Sequence, residues 1–489
     1  MIAFIVGIIS LFTGLIFTVI VTRQLSPEEF GIWSLIGGLT AYVFLIRPVI
    51  PFWNTREIAR GIESGKTGII SNYFIVLIAI AIYFGIASYF GEKTPVDFSI
   101  LIFAALLIPV EFFRGALVGI ANGFKPQIEE YGLIIFEVTK IIFAIVLIYF
   151  LQLGIQGVIL VTVLASLSSI ILMAILVREK IRGEFKKELL KKWLKLFWLP
   201  IYPRISGLLT QIDVTIFTLI TGSVTGLAYW ASAKAVSKIV HHSIKVGKAV
   251  YPKLLSGGEK NHLQENLLLV FYFAFPLAGM SIAFSKPALF ILNPLYDVAV
   301  LVVIFLVPTI LLRSLGELFG NALKGIEKVD VNQNSKFLDY IKSKLFFLPT
   351  LRNIHRGAYV FSLAIMLILL VPNIESEIDL VINWAILALL IQIPFSLYLY
   401  YLVRKEFALK IDKKSILKYL ITSIFVFGGT FLLMENNLTY HTSVFKFFPE
   451  FLPYLIISSV GYLGITYLID NRTRILVKKI FSEIKTVKF

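Results

Sequence analysis

Cysteine is absent from all 489 residues, which excludes disulfides, thiolate nucleophiles and cysteine-ligated metals. Charge is scarce as well: Asp, Glu, Lys and Arg make up 16% of the chain, against roughly a quarter in ordinary soluble domains. No Walker A loop, HExxH or GxSxG occurs, so the residues for ATP binding, zinc-dependent hydrolysis or serine-esterase chemistry are missing. The reading is a protein that is not an enzyme and holds no cofactor or metal. What fills the gaps is apolar: 58% hydrophobic residues and a mean hydropathy of +0.86 belong to the bilayer. The 46 basic residues outnumber 30 acids for a formal charge of +16. In so apolar a chain that surplus is expected to meet membrane lipids or an anionic substrate, and no nucleic acid.

Apolar runs of near-spanning length fall at about 1–22, 31–52, 68–90, 98–121, 131–151, 155–177, 196–221, 227–252, 266–290, 298–323, 357–372, 379–403, 416–434 and 451–470. They predict an all-α polytopic membrane protein of about 14 transmembrane helices. The first run starts at once, with no basic n-region or cleavage site, and reads as a retained span. Loops after even-numbered runs carry nearly all the extramembrane Lys and Arg, whereas the opposite loops hold only Arg23, Lys93 and Lys446, with Lys286 near a span end. That asymmetry predicts a multi-pass protein of the plasma membrane with both termini cytoplasmic.

The largest basic block, REKIRGEFKKELLKKWLK at 178–195, divides an N-terminal lobe at 1–177 from a C-terminal lobe at 196–403, and 404–489 adds two spans and a basic tail. Its Leu189, Leu190, Trp193 and Leu194 predict an amphipathic piece on the inner leaflet. Similar pieces are expected at Phe337, Ile341, Leu345 and Leu348, and in the tail at Ile475, Ile480, Phe481 and Ile484. The segment 324–356 reads as a long loop. A faint repeat is also present: a shift of 197 residues places Ser26 on Ser223 and Trp33 on Trp230, each opening a span after a short turn, with Pro51 and Pro252 near the span ends. Duplicated halves suit transporters whose site lies between two lobes.

Charges fall inside the runs. In the eighth, Lys234, Lys238, His241, Lys245 and Lys248 recur at spacings of 4, 3, 4 and 3, which on an α-helix confines them to an arc of about 80°. A lysine facing lipid at mid-membrane costs roughly 2.5–3.5 kcal/mol, so the stripe is expected to face water, carboxylates or an anionic ligand. Away from the ends of the runs the cations are Arg47, Arg114, Lys140, Arg204, Lys234, Lys238, Lys245, Lys248 and Arg313, against the acids Glu111, Glu137, Asp213 and Glu317. Nine against four leaves five positive charges unmatched. Helical spacing pairs Glu111 with Arg114, Glu137 with Lys140 and Arg313 with Glu317. Asp213 has no cation at helical spacing; it is expected either to bind a coupling Na+ or H+, or to pair with Arg204 or the lysine stripe.

The stretch TRQLSPEEFGIWSL at 22–35, directly after a first span, resembles the opening of the Wzx-type oligosaccharide and polysaccharide biosynthesis flippases. These belong to the multidrug/oligosaccharidyl-lipid/polysaccharide exporter superfamily. The span count, the basic mid-chain segment and the repeat at the eighth span are similar to the same group. The resemblance implies two pseudo-repeated lobes around a central cationic cavity, alternating access, and export of a polyprenyl- or dolichyl-linked glycan by a monomer. Its arginine after the first span corresponds to Arg23. The substrate's phosphates are then expected at Lys234, Lys238, His241, Lys245, Lys248, Arg23, Arg47 and Arg204, with Asp213 for ion or proton coupling. A cation-coupled multidrug exporter of the same superfamily is the alternative, but its cationic substrates suit a positive interior poorly. A membrane-embedded glycan ligase or polymerase would need large outer loops bearing catalytic side chains, and the outer loops here are mostly short.

Overall fold

The computed structural model describes residues 2–250, 254, 261–327, 329, 337–407, 409 and 412–476; helices dominate, and no strand occurs among the described residues. In chain order the α-helices are α1 (Ile2–Gln24), α2 (Pro27–Phe44), α3 (Val49–Ala59), α4 (Gly65–Lys93), α5 (Phe98–Ala104), α6 (Leu107–Phe124), α7 (Gln127–Phe143), α8 (Gly154–Leu176), α9 (Arg178–Ile181), α10 (Lys187–Lys195), α11 (Trp198–Ile201), α12 (Ile205–Thr221) and α13 (Thr225–Ser237). They continue with α14 (Asn261–Ala283), α15 (Ser285–Leu292), α16 (Val300–Gly325), α17 (Phe337–Lys342), α18 (Lys344–Leu370), α19 (Glu377–Phe407), α20 (Lys413–Asn437) and α21 (Val444–Ile469).

Among the described residues ten helices are long and apolar enough to cross a membrane, and eleven if α2 and α3, bent by 55°, form one span. The other three expected spans are helical but shorter by that measure. The first has its described apolar stretch only over Phe12–Gln24. The seventh is α12, 17 residues long. The eighth begins as the 13 residues of α13 and continues as a 3-10 helix over Lys238–Ala249.

The helices pack as two compact units, Met1–Ala231 with Arg352–Leu380, and Ser232–Leu351 with Val381–Phe489. In the first, Ser26 closes a capping box on α2: its hydroxyl accepts from the Glu29 N–H at 3.1 Å while the Glu29 carboxylate accepts from the Ser26 N–H at 3.0 Å. Glu29 also accepts from the Ile155 N–H at 3.3 Å, tying the turn to α8. At the repeat-related position the Ser223 hydroxyl accepts from the Gly226 N–H at 3.1 Å, again three residues on. The two turns meet, because a Cβ on Gly31 would lie 1.8 Å from the Val224 carbonyl oxygen. Pro252, the second proline of the repeat, lies outside the described residues.

In this unit α3 and α6 pack closely. Gly115, Gly119 and Gly123 recur every fourth residue on α6, and a Cβ on Gly119 would sit 2.5 Å from the Pro51 Cα, one on Gly123 2.8 Å from the Thr55 carbonyl oxygen. Small residues at this spacing let helix backbones approach in a membrane; here they also free the Gly119 carbonyl to accept from the Thr55 hydroxyl at 2.9 Å. The α2–α3 bend falls at 45–48, where Pro48 disfavours helical conformation at Arg47.

The segment 178–195 does not rest on lipid by its Leu189–Trp193 face. Trp193 is fully buried against Val49, Ile50, Trp53 and Ala116, and Lys192 Nζ lies 2.9 Å from a carboxylate oxygen of the buried Glu57. An indole finds more apolar contact in the groove of α3 than in a headgroup layer. The expected long loop at 324–356 is also shorter, since α18 begins at Lys344 and the eleventh span extends well upstream of 357. Leu348 accordingly joins a protein core with Leu267, Val270 and Leu318 and does not lie on a leaflet. Ile475 is exposed, and Ile480, Phe481 and Ile484 lie outside the described residues.

In the second unit, α14, α20 and α21 share an aromatic core of Tyr272, Phe427, Phe447 and Tyr462. At its edge the buried Asp470 accepts from the Tyr419 hydroxyl at 2.8 Å. Nearby, Asp412 caps α20, accepting from the Ser415 N–H at 3.1 Å and its hydroxyl at 2.9 Å. The backbone N–H, aided by Arg472, holds the Asp412 carboxyl below the usual carboxylate range. Asp412→Ala is expected to lower stability by about 1 kcal/mol, the usual worth of an N-cap. Because the folded pKa is depressed, the wild-type advantage is present above the ordinary Asp pKa of about 3.9 and disappears as pH falls below it. Thermal midpoints of the two proteins at pH 7 and pH 3 measure this.

Candidate functional site

The second unit carries the lysines of the eighth span, and their arrangement differs from a single stripe. Buried residues there recur every third position: Ser237, Val240 and Ser243 in one row, Ile244, Gly247 and Val250 in the next. The segment winds as a 3-10 helix, with three residues per turn. In 3-10 geometry Lys238 and His241 eclipse each other, while Lys245 falls on a row about 120° away. The cations thus do not form one row. A run of 12 such residues is long for this geometry, which is rarely sustained beyond about 3–4 residues.

Lys238 and Lys245 are exposed and have no ion pair among the described residues. Lys234 is half-buried, and the Lys248 side chain lies outside the described residues. His241 is tied to α16: its Nδ1 is 2.9 Å from the Ser314 hydroxyl and its Nε2 4.0 Å from Glu317. Glu317 therefore faces His241 and not Arg313, whose Nε is buried without a hydrogen-bond partner. The i,i+4 spacing allowed the Arg313–Glu317 pair, but the approach of the eighth span offered the carboxylate a different partner.

The first unit holds the arginines. Arg47, at the α2–α3 bend, places Nη1 2.5 Å from Glu111 on α6, and Arg114 reaches the other carboxylate oxygen at 2.9 Å. The Ser166 hydroxyl from α8 adds a third donor at 3.4 Å. The Arg47 side chain runs past Gly115, its Nε 3.5 Å from where a Cβ would be. Arg204 lies within electrostatic reach of Arg47. Two guanidiniums on one carboxylate leave one positive charge over, Arg204 adds another nearby, and each guanidinium keeps N–H groups to offer a second anion. Arg23, on α1, is half-buried.

Asp213 is buried on α12 and accepts from the Tyr359 hydroxyl at 3.1 Å. On the next turn of α12, Thr215 bonds the Tyr42 hydroxyl at 2.7 Å. Tyr359 is not among the sequence candidates, nor are the buried His355 and Arg356 one turn before it on α18. Reading 324–356 as a loop leaves them out of the intramembrane charges. The local signal is the uninterrupted helical spacing of Leu348, Arg352, His355, Arg356 and Tyr359. Among the described residues no group of three or more His, Asp or Glu converges as a metal site.

Residues 1–254 match the family model described as polysaccharide biosynthesis protein, more than half of the chain. The chain belongs to that family. Its fold extends the relationship to solved structures. The lipid II flippase MurJ in an inward closed conformation matches over 97% of this chain and 100% of its own, with 16% identity and a TM-score of 0.67. An inward-facing multidrug resistance MATE transporter of the MOP superfamily matches over 80% of this chain and 94% of its own, with 14% identity and a TM-score of 0.57. A MOP-superfamily transporter from Pyrococcus furiosus, described as having a binding pocket of reverse polarity, matches over 83% and 94% with 15% identity and a TM-score of 0.50. No curated protein matches. This member of the polysaccharide biosynthesis family is thus a multi-pass membrane protein with the MurJ and MATE fold.

Proposed function

We propose that this protein flips a lipid-(pyro)phosphate-linked oligosaccharide from the cytoplasmic to the outer leaflet of the cell membrane by alternating access, for polysaccharide or glycoprotein biosynthesis. The observation that carries the reading is the surplus of cations: exposed, unpaired Lys238 and Lys245 on a membrane helix, with Arg47 and Arg114 sharing one carboxylate and Arg204 within electrostatic reach of Arg47. In this reading the phosphates contact Lys238 and Lys245, with Lys234, His241 and Lys248 on the same helix and Arg23, Arg47 and Arg204 from the first unit. Lysines act as mobile point charges and arginines as oriented forks for phosphate oxygens. The polyprenyl or dolichyl tail stays in lipid, no bond is made or broken, and both termini lie in the cytoplasm. Asp213, with the Tyr359 hydroxyl beside it, takes the coupling Na+ or H+. The protein acts as a monomer.

The buried Asp213 also favours a second reading, a cation-coupled multidrug exporter, because such a carboxylate can exchange a proton or metal ion for its tyrosine bond. The experiment that separates them is translocation of a fluorescent lipid-linked oligosaccharide in proteoliposomes. Wild type is expected to flip it, and Lys238→Ala/Lys245→Ala to lose at least tenfold in rate while eluting as a folded monomer. Full activity in the double variant removes these lysines from the site. Cationic-dye efflux by wild type without oligosaccharide flipping establishes the exporter.

A further inference from the structure

The segment between α8 and α12 has a second face that the packing against α3 does not use. It begins at Arg178, two residues after the α8 span ends at Leu176, so it leaves the bilayer and remains beside it. It is fastened along its length: a Cβ on Gly65 would lie 2.1 Å from the Lys180 carbonyl oxygen, the Lys186 N–H donates to the Thr67 hydroxyl at 2.8 Å, and Trp193 and Lys192 engage α3. With Trp193 defining the inner face of α10, Lys187, Lys191 and Lys195 point about 120°, 160° and 200° away, and Leu194 about 100°. All four are exposed. Just beyond, Phe197 is 51% and Trp198 47% exposed.

A solvated connector would not hold three lysines in one row beside Leu194, Phe197 and Trp198 on a rigid support. Aromatic and leucine side chains next to lysines suit the boundary between acyl chains and anionic headgroups. At the contact of α10 with α3, Trp53 Nε1, Trp193 Nε1 and one oxygen of Glu57 are buried without hydrogen-bond partners, so α10 itself is held there by apolar contact and one ion pair. We propose that residues 187–199 form a binding surface for anionic phospholipid, the phosphate held by Lys187, Lys191 and Lys195 and the interface entered by Leu194, Phe197 and Trp198, which clamps the segment onto α3.

The test titrates the full-length protein in detergent with phosphatidylglycerol or phosphatidylcholine, read by native mass spectrometry. Wild type is expected to retain phosphatidylglycerol at least tenfold more tightly. Lys187→Gln/Lys191→Gln/Lys195→Gln is expected to lose that preference, since each lysine near an anionic surface contributes roughly fivefold. The single Lys191→Glu serves if the triple variant does not fold. A control, Lys405→Gln/Lys413→Gln/Lys414→Gln, alters the basic ends of α19 and α20 and is expected to keep the preference. Equal retention of the two lipids by wild type, an unchanged preference in the α10 variants, or an equal loss in the control overturns the proposal. So does capture of polyglutamate by wild type without phosphatidylglycerol preference, which would assign the surface to an acidic protein.

Discussion

Gly119→Leu is expected to yield no correctly packed transporter. The new Cβ would meet the Pro51 Cα at 2.5 Å and its carbonyl oxygen at 2.8 Å, and both are backbone atoms that cannot rotate aside. Separating α3 from α6 would also break the bond from the Thr55 hydroxyl to the Gly119 carbonyl and move Arg47 away from Glu111. Overpacking a tight core typically costs about 1–3 kcal/mol; here backbone displacement and lost polar contacts place the change at the upper end, about 3 kcal/mol. The control is Gly85→Leu on α4, where nothing lies within 4 Å of the place a Cβ would take. Size-exclusion profiles and thermal midpoints should show aggregation or a large drop for the first and little change for the second. Equal behaviour would mean that the glycine row does not set the α3–α6 contact.

Glu137→Leu is expected to destabilise the first unit by about 3–5 kcal/mol, the usual result of removing one partner from a buried ion pair. Glu137 on α7 is 5% exposed and Lys140 8%, with Lys140 Nζ 2.6 Å from the carboxylate. The same carboxylate accepts from the Ser10 hydroxyl at 3.1 Å and from Thr13, both on α1. Leucine would leave an ammonium buried with only the Phe17 and Phe136 rings, at 5.3 and 5.1 Å, as compensation. Glu137→Leu/Lys140→Met is expected to recover most of the loss, because no charge then remains unpaired. A double-mutant cycle on thermal midpoints measures the coupling. A double variant no more stable than Glu137→Leu would show that the hydroxyls of α1, and not the lysine, are what the carboxylate serves.

The fate of individual residues shows where sequence reasoning reaches its limit. Glu111–Arg114 and Glu137–Lys140 are legible because three residues on a helix bring side chains together whatever surrounds them. Arg313–Glu317 has equally good spacing and fails, because His241 arrives from another helix. Arg47 pairs with a residue 64 positions away and Tyr359 with one 146 positions away, separations that no local period encodes. The repeat shows Ser26 and Ser223 at matching span starts, yet the contact between their turns is not legible there.

By itself the sequence determined the solvent and the scale of this protein: apolar runs long enough to span a bilayer, cations in excess, a repeat that sets Ser26 on Ser223, and the opening motif of a polysaccharide biosynthesis family member. These follow from composition and from spacings of a few residues, which act through hydrophobicity and helical geometry alone. Only the tertiary structure decided that 238–249 winds as a 3-10 helix, that α18 starts at Lys344, that Trp193 enters the protein and that Asp213 meets Tyr359. Each is a choice among partners equally open to an isolated helix, and packing against neighbours distant in sequence made that choice.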